Sequence, residues 1–220
     1  MHSSVQNLIN IQEKIKQSLT HFKINKIPKI IAVSKTFGMD KILPLIEHGH
    51  LDFGENKVQE AVEKWTNVKS NNKSLKLHLI GGLQTNKVKF AVKLFDFIHS
   101  VDNEKLAAKI SEEQKKVDRN IKIFIQVNLG DENQKSGVNP KLIDSLYKYC
   151  TKNLDLDVIG TMCLPPFGED PEPYFRKLCE INKNLNLNEL SMGMSNDYLT
   201  ALKYRSTYLR IGSKIFGQRD

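Results

Sequence analysis

Three short segments of this chain carry side chains able to do chemistry. The first is Lys35, which directly follows the run Ile30-Ile31-Ala32-Val33-Ser34. A lysine at the closing end of a buried strand loses hydration, and desolvation lowers its pKa. The freed amine can then attack a carbonyl and form a Schiff base. The same position also suits a lysine that snorkels outward and reacts with nothing. The second segment is Ser191-Met192-Gly193-Met194-Ser195-Asn196-Asp197, where a strand passes through a glycine into polar side chains that open a helix. Free N–H groups at a helix start attract an anion, although Ser195 or Asn196 serves equally as an ordinary N-cap. The third is Arg210-Ile211-Gly212-Ser213, where glycine permits close backbone approach and Ser213 adds a hydroxyl.

The elements that hold these segments are read from hydrophobic period. Residues 3–22 read as a helix with Val5, Leu8, Ile9, Ile11, Ile15 and Leu19 as its apolar stripe. Strand and helix then alternate. Strands are expected at Lys29–Lys35, Leu51–Glu55, Leu75–Ile80, Phe97–Val101, Lys122–Leu129, Leu156–Met162, Glu189–Met192 and within Tyr208–Phe216. Helices are expected at Met39–His48, Lys57–Trp65, Asn86–Leu94, Asn103–Val117, Pro140–Thr151, Pro171–Asn184 and Asn196–Arg205. IIAV, IFIQV and DVIG are near-continuous apolar runs, as parallel strands covered on both faces require. Eight such units predict an α/β fold, a single (β/α)8 TIM-type barrel with an extra N-terminal helix and one domain over residues 1–220. An open doubly wound sheet uses the same local units and is the alternative.

In a barrel the reactive groups sit at the C-terminal strand ends. Those ends are Ser34-Lys35-Thr36, Gly54-Glu55-Asn56, His78 to Gly82, His99 to Asp102, Asn128 to Gly130, Met162 to Leu164, Met192 to Ser195, and Arg210 to Ser213. The loops after the last two strands are the usual phosphate site, and closure sets the eighth strand beside the first. A lysine nucleophile then stands beside a phosphate cradle, the arrangement that pyridoxal 5′-phosphate (PLP) needs.

Composition narrows the setting. A net charge of +8 suits nucleic acid or small anions, yet the basic residues are mixed with Glu and Asp along stretches such as 105–122, which reads as a solvated surface. No RNP motif, KH loop or zinc knuckle supports a specific nucleic-acid reading. Cys150, Cys163 and Cys179 are odd in number and form no CxxC pair, which argues against disulfides or zinc and for a reducing cytoplasm. Gln12, Glu13, Lys14 and Lys16 interrupt the first apolar pattern, so no secretory leader is expected there. No apolar run approaches the ~20 residues that span a bilayer.

AVSKT (32–36), FGENKVQE (53–60), HLIGGLQTNK (78–87), VNLGDENQKSG (128–137), LSMGMSNDYLTAL (190–202) and LRIGSKIFG (209–217) closely resemble the YggS/PROSC family of pyridoxal phosphate homeostasis proteins. The resemblance runs in order from about residue 30 to the C-terminus. It implies a barrel like the N-terminal domain of alanine racemase, without that enzyme's second domain. It implies that Lys35 carries PLP as a Schiff base. Ser195 and the Gly212-Ser213 backbone and hydroxyl would hold the phosphate, and Arg210 would face the pyridine nitrogen. Asn56 and His78 match positions lining the pocket. Gly82 and Lys214 depart from the usual family residues, and Lys214 adds a charge near the cradle or points outward.

Two functions remain in view. Arginine donates hydrogen bonds and keeps its proton, so it disfavours a protonated ring nitrogen and weakens the electron sink. An accessible cofactor site also excludes water poorly. Both features point to a PLP carrier or buffer that supplies apo PLP-dependent enzymes, a monomer without a catalytic residue. The alternative is a racemase-like enzyme with His78, His99 or Asp102 as its base, since Tyr204 and Tyr208 read as packing residues. Lys135, in the loop after the fifth strand, is either a secondary contact for PLP or an ordinary loop lysine.

Overall fold

The computed structural model describes residues 1–130 and 136–218, and in it eight parallel strands close into a barrel. They are β1 (Lys29–Val33), β2 (Asp52–Glu55), β3 (Lys76–Leu79), β4 (Phe97–Val101), β5 (Lys122–Gln126), β6 (Asp157–Met162), β7 (Glu189–Met194) and β8 (Tyr208–Ile211). Closure is made by β1 against β8, with Ile31 opposite Arg210 and Ala32 opposite Ile211. The barrel expected from eight units is therefore the fold, and the open-sheet alternative is excluded.

The helices are α1 (Ser3–Phe22), α2 (Met39–Glu47), α3 (Val58–Asn71), α4 (Val88–Leu94), α5 (Glu104–Lys116), α6 (Ile143–Lys148), α7 (Glu172–Asn184), α8 (Tyr198–Lys203) and α9 (Ser213–Phe216). Outward strand residues such as Ala32, Leu77, Ile98, Ile123 and Leu209 pack with the helices in one large core. Inside the barrel a smaller cluster is formed by Ile31, Val33, Phe97, Phe124, Met162 and Tyr208.

The extra N-terminal helix has a structural reason. Helix α9 is one turn long and cannot cover the seam between first and last strand. Helix α1 lies there instead, burying Val5, Leu8, Ile11, Ile15 and Leu19. Burial of each such side chain stabilises by about 1.5–3 kcal/mol. Asn7 Nδ2 donates to the Ile215 carbonyl at 3.0 Å and Ser4 Oγ to that of Lys41 at 3.2 Å, fixing α1 to both sides of the seam.

Several boundaries differ from expectation. Helix α3 continues past Trp65 to Asn71, because Val68 still packs on the core. Strand β5 stops at Gln126, and α6 gives way to a wider π-helical turn over Tyr149–Asn153. Strand β7 extends to Met194 and α8 begins only at Tyr198, because the Asp197 carboxylate accepts from the Met194 N–H at 2.5 Å and closes a turn first.

Candidate functional site

The turn carrying Lys35 is stapled to α3. Ser34 is buried, with its N–H on the Gly54 carbonyl at 3.0 Å and its Oγ donating to Glu55 Oε1 at 2.8 Å. Thr36 adopts a left-handed φ of 68° and donates its N–H to Glu60 Oε1 at 2.7 Å. Lys64 Nζ reaches the Ser34 carbonyl at 3.0 Å, Glu55 Oε1 at 3.1 Å and Glu60 Oε1 at 2.9 Å. Trp65 Nε1 also donates to Glu55 Oε1, at 2.9 Å. Lys35 is partly buried at the centre of this turn. Phe37 then stacks on Phe216 of α9 at 5.0 Å, which ties the lysine turn to the segment after β8.

That segment meets the loop after β7 at the place where the sequence predicts a phosphate cradle. Ser195 Oγ accepts from the Gly212 N–H at 3.3 Å and the Lys214 N–H at 3.4 Å. Ser195 thus joins two loops rather than capping α8, and Asn196 does not cap it either, since the N-cap position is Asp197. Gly193 makes this geometry possible: its φ is 92°, and a Cβ there would lie 2.6 Å from Ala201 Cβ and 3.0 Å from Leu209 Cδ2. A Cβ on Gly212 would meet Val33 at 3.4 Å, so the cradle lies directly against the end of β1. Ser213 is exposed, and Lys214 sets its Nζ 5.1 Å over the Tyr198 ring.

Arg210 lies below the cradle, 3% exposed. Its Nη1 donates to Ser191 Oγ at 2.6 Å and its Nη2 to the Cys163 carbonyl at 2.8 Å. Neither partner is charged. Burial pulls the guanidinium pKa down from its ordinary value, yet arginine stays protonated. Ser191 Oγ also contacts His99 Nδ1 at 2.8 Å. Among the described residues, then, no carboxylate is bonded to Arg210.

Asn56 follows β2, and its Oδ1 is buried with no hydrogen-bond partner among the described residues. Gly81 lets the loop after β3 lie on it, since a Cβ there would fall 2.3 Å from the Asn56 carbonyl oxygen. Gly82 faces open space, so the bulkier residue usual in the resembled family has room. His78 is fully buried inside the barrel, and its link to Arg210 runs through His99 and Ser191. Asp102 is engaged in the loops, accepting from the Gly137 N–H at 3.0 Å and from Asn103 Nδ2 at 2.7 Å. Tyr204 donates its hydroxyl to Glu172, fastening α8 to α7 on the outside, whereas Tyr208 packs among His78, Phe97 and Phe124. Lys135 lies outside the described residues.

Glu55 stands at a strand end in the sequence, whereas Glu60, Lys64 and Trp65 lie in the following helix pattern and carry no signal of their part in the Lys35 turn. A cavity of about 890 Å³ lies elsewhere, at the N-terminal mouth between α1 and the strand starts, and is lined by Ile15, Leu19, Ile27 and Asp52. None of the reactive groups above borders it. No helix of the described residues is long and apolar enough to cross a membrane.

The profile of the family described as alanine racemase, N-terminal domain, matches residues 6–220. A pyridoxal phosphate homeostasis protein of Aquifex aeolicus is 38% identical over 87% of this chain and 87% of its own. One from Pasteurella multocida is 34% identical over 98% and 97%. Among solved structures, PipY of Synechococcus elongatus without PLP matches with a TM-score of 0.88 at 29% identity, over 98% of this chain and 100% of that one. PipY with PLP bound matches with a TM-score of 0.81 at 30% identity, over 92% and 100%. Clostridium difficile alanine racemase, at 17% identity and TM-score 0.66 over 94% of this chain and 57% of that one, shares the fold. With the barrel, the lysine turn and the cradle in place, these matches show that the chain belongs to the family of pyridoxal phosphate homeostasis proteins.

Proposed function

We propose that this protein binds PLP as a Schiff base on Lys35 and acts as a non-catalytic carrier or buffer in cytoplasmic vitamin B6 homeostasis. In this reading it is a monomer and hands the cofactor to apo PLP-dependent enzymes. The observation that carries the reading is the adjacency of three groups on neighbouring strands. Lys35 lies in the turn directly after β1, the junction of Ser195 with the Gly212 and Lys214 N–H groups packs against that strand end, and Arg210 stands opposite Ile31 in β8. The PLP-bound structure of a relative 30% identical supports the same cofactor.

The residues fit the group. Ser195 and Ser213 offer hydroxyls for a phosphate, and the Gly212 N–H, which bonds Ser195 Oγ here, would be shared with it. Asn56 brings a buried oxygen with no partner among the described residues, a group that costs about 1–3 kcal/mol until something bonds it. His78 belongs to the set through the interior chain that ends on Arg210. Bound PLP supplies an electron-withdrawing ring, strongest when its nitrogen is protonated. Arg210 presents only donors there, and its own partners are neutral, so it disfavours that proton. Such a site holds the cofactor without strongly activating an amino acid. The free thiols of Cys150, Cys163 and Cys179 suit the cytoplasm.

The test is to load the purified protein with PLP and follow its visible absorbance as an apo-enzyme is added. Transfer with recovery of the acceptor's activity is expected. Incubation with single amino acids in deuterium oxide should give α-proton exchange no faster than free PLP. Exchange well above that level would replace the carrier with the racemase-like enzyme, and a protein that stays colourless in PLP would end both readings.

A further inference from the structure

Polar side chains recur at the third position of four strands: His78 in β3, His99 in β4, Ser191 in β7 and Arg210 in β8. All four point into the barrel and touch in sequence. Arg210 Nη1 is 2.6 Å from Ser191 Oγ, Ser191 Oγ 2.8 Å from His99 Nδ1, and His99 Nε2 3.0 Å from His78 Nδ1. His78 Nε2 is 3.0 Å from Asp52 Oδ1, at the start of β2. Asp52 lines the cavity at the N-terminal mouth, with 19% of its side chain exposed. One hydrogen-bonded chain therefore crosses the barrel from mouth to mouth.

Its ends set its direction. A guanidinium only donates and a carboxylate only accepts. Four contacts need four protons, and neutral histidines supply that number: one each from Arg210 Nη1, Ser191 Oγ, His99 Nε2 and His78 Nε2. Every bond then points from Arg210 toward Asp52. A fifth proton fits only if Ser191 turns its hydroxyl hydrogen out of the chain and His78 becomes a cation. Burial in the aromatic interior, between Phe97 and Phe124, likewise disfavours a charged ring, and the pKa of each histidine is lowered, that of His99 well below the ordinary value.

We propose that Asp52, His78, His99 and Ser191 are positioning residues for Arg210, a polarised relay that fixes how the guanidinium is presented to the cofactor and links it to a carboxylate at the opposite mouth. The inference rests on the PLP reading above for what Arg210 contacts, but not for the relay itself. Asp52 is the acceptor that keeps both rings in one tautomer. Without it either ring is free to turn its proton around, and Ser191 loses its fixed role. Charge reaches this end from Lys29 and His50 beside Asp52, and from Lys29 and Asp96 beside His78.

The experiment uses nitrogen-15-labelled histidine in the full chain without cofactor. Long-range NMR at pH 7 should show His78 and His99 neutral, each protonated on Nε2. Asp52→Ala should mix the tautomers of both rings, and Asp52→Asn, whose oxygen still accepts, should restore one. A PLP titration of the same proteins should find affinity weakened roughly three- to tenfold in Asp52→Ala, in the range of couplings carried by packed networks, and near wild type in Asp52→Asn. Circular dichroism checks that the variants fold, and the wild-type tautomers decide the matter if one does not. A charged or Nδ1-protonated ring at pH 7, or equal affinity in all three proteins, overturns the relay. Failure of the wild type to bind PLP overturns the proposed function, while the tautomers still decide the relay.

Discussion

Lys64 and Arg210 are both cations withdrawn from water, yet their surroundings differ. Lys64, its side chain 11% exposed, is met directly by two carboxylates, Glu55 at 3.1 Å and Glu60 at 2.9 Å. Arg210 is bonded to a hydroxyl and a carbonyl, and the nearest carboxylate along its hydrogen-bond chain is Asp52 at the far mouth. The first arrangement uses its charge up inside the protein and makes a staple for the Lys35 turn. The second leaves charge and N–H groups for something else to meet. A carboxylate placed directly on Arg210 would neutralise the feature by which, in the proposed reading, it meets a ring nitrogen.

The contrast breaks most visibly at Glu55. Glu55→Ala leaves Lys64 with Glu60 as its one carboxylate and removes the acceptor of Ser34 and Trp65, and loss of one partner of a buried pair costs about 3–5 kcal/mol. Urea melts should show that loss, with Glu55→Gln destabilised less because its oxygen still accepts. A change under about 1 kcal/mol in Glu55→Ala would mean that the turn does not depend on the staple.

Gly193→Ala should cost about 1–3 kcal/mol for the left-handed backbone, before the contact with Ala201 is counted, and should also weaken PLP binding through Ser195. Unchanged stability would show that the cradle tolerates a Cβ.

The histidine chain has a pH signature. Burial lowers the pKa of His78 and His99 in the folded protein. The unfolded chain takes up protons near pH ~6.5 while the fold does not. Stability is therefore present above that pH and falls as pH drops through it, by at most about 1.4 kcal/mol per histidine per pH unit. Melts at pH 7.5 and 5.5 should differ in that direction, and identical melts would contradict neutral rings. The smallest effect belongs to the exposed pair Asp144–Lys148 on α6, where Asp144→Ala should change stability by no more than about 0.5 kcal/mol.

Much of the architecture is legible in the order of the amino acids, because IIAV, IFIQV and DVIG must be buried on both faces and eight units suffice to close a barrel. Lys35, Ser195, Arg210 and Gly212 are legible as candidates for the same reason, since strand ends are where a barrel exposes chemistry. The one-turn helix Ser213–Phe216 is too short to show a period. The role of Asp197 is hidden because a carboxylate before a helix reads as a cap, whereas here it closes the turn at Met194. The interior chain shows as polar residues at inward positions of KLHL, FIHSV, ELSMGM and YLRI. That His99 meets Ser191, however, depends on β4 and β7 facing each other across the barrel, which local pattern does not encode.

The central claim is a covalent one at Lys35. The protein is loaded with PLP, reduced with borohydride, digested and mapped by mass spectrometry. The label is expected on the peptide containing Lys35, and Lys35→Ala should lose it while Lys135→Ala keeps it. A label that survives in Lys35→Ala, or that sits mainly on Lys135 in the wild type, would contradict the account.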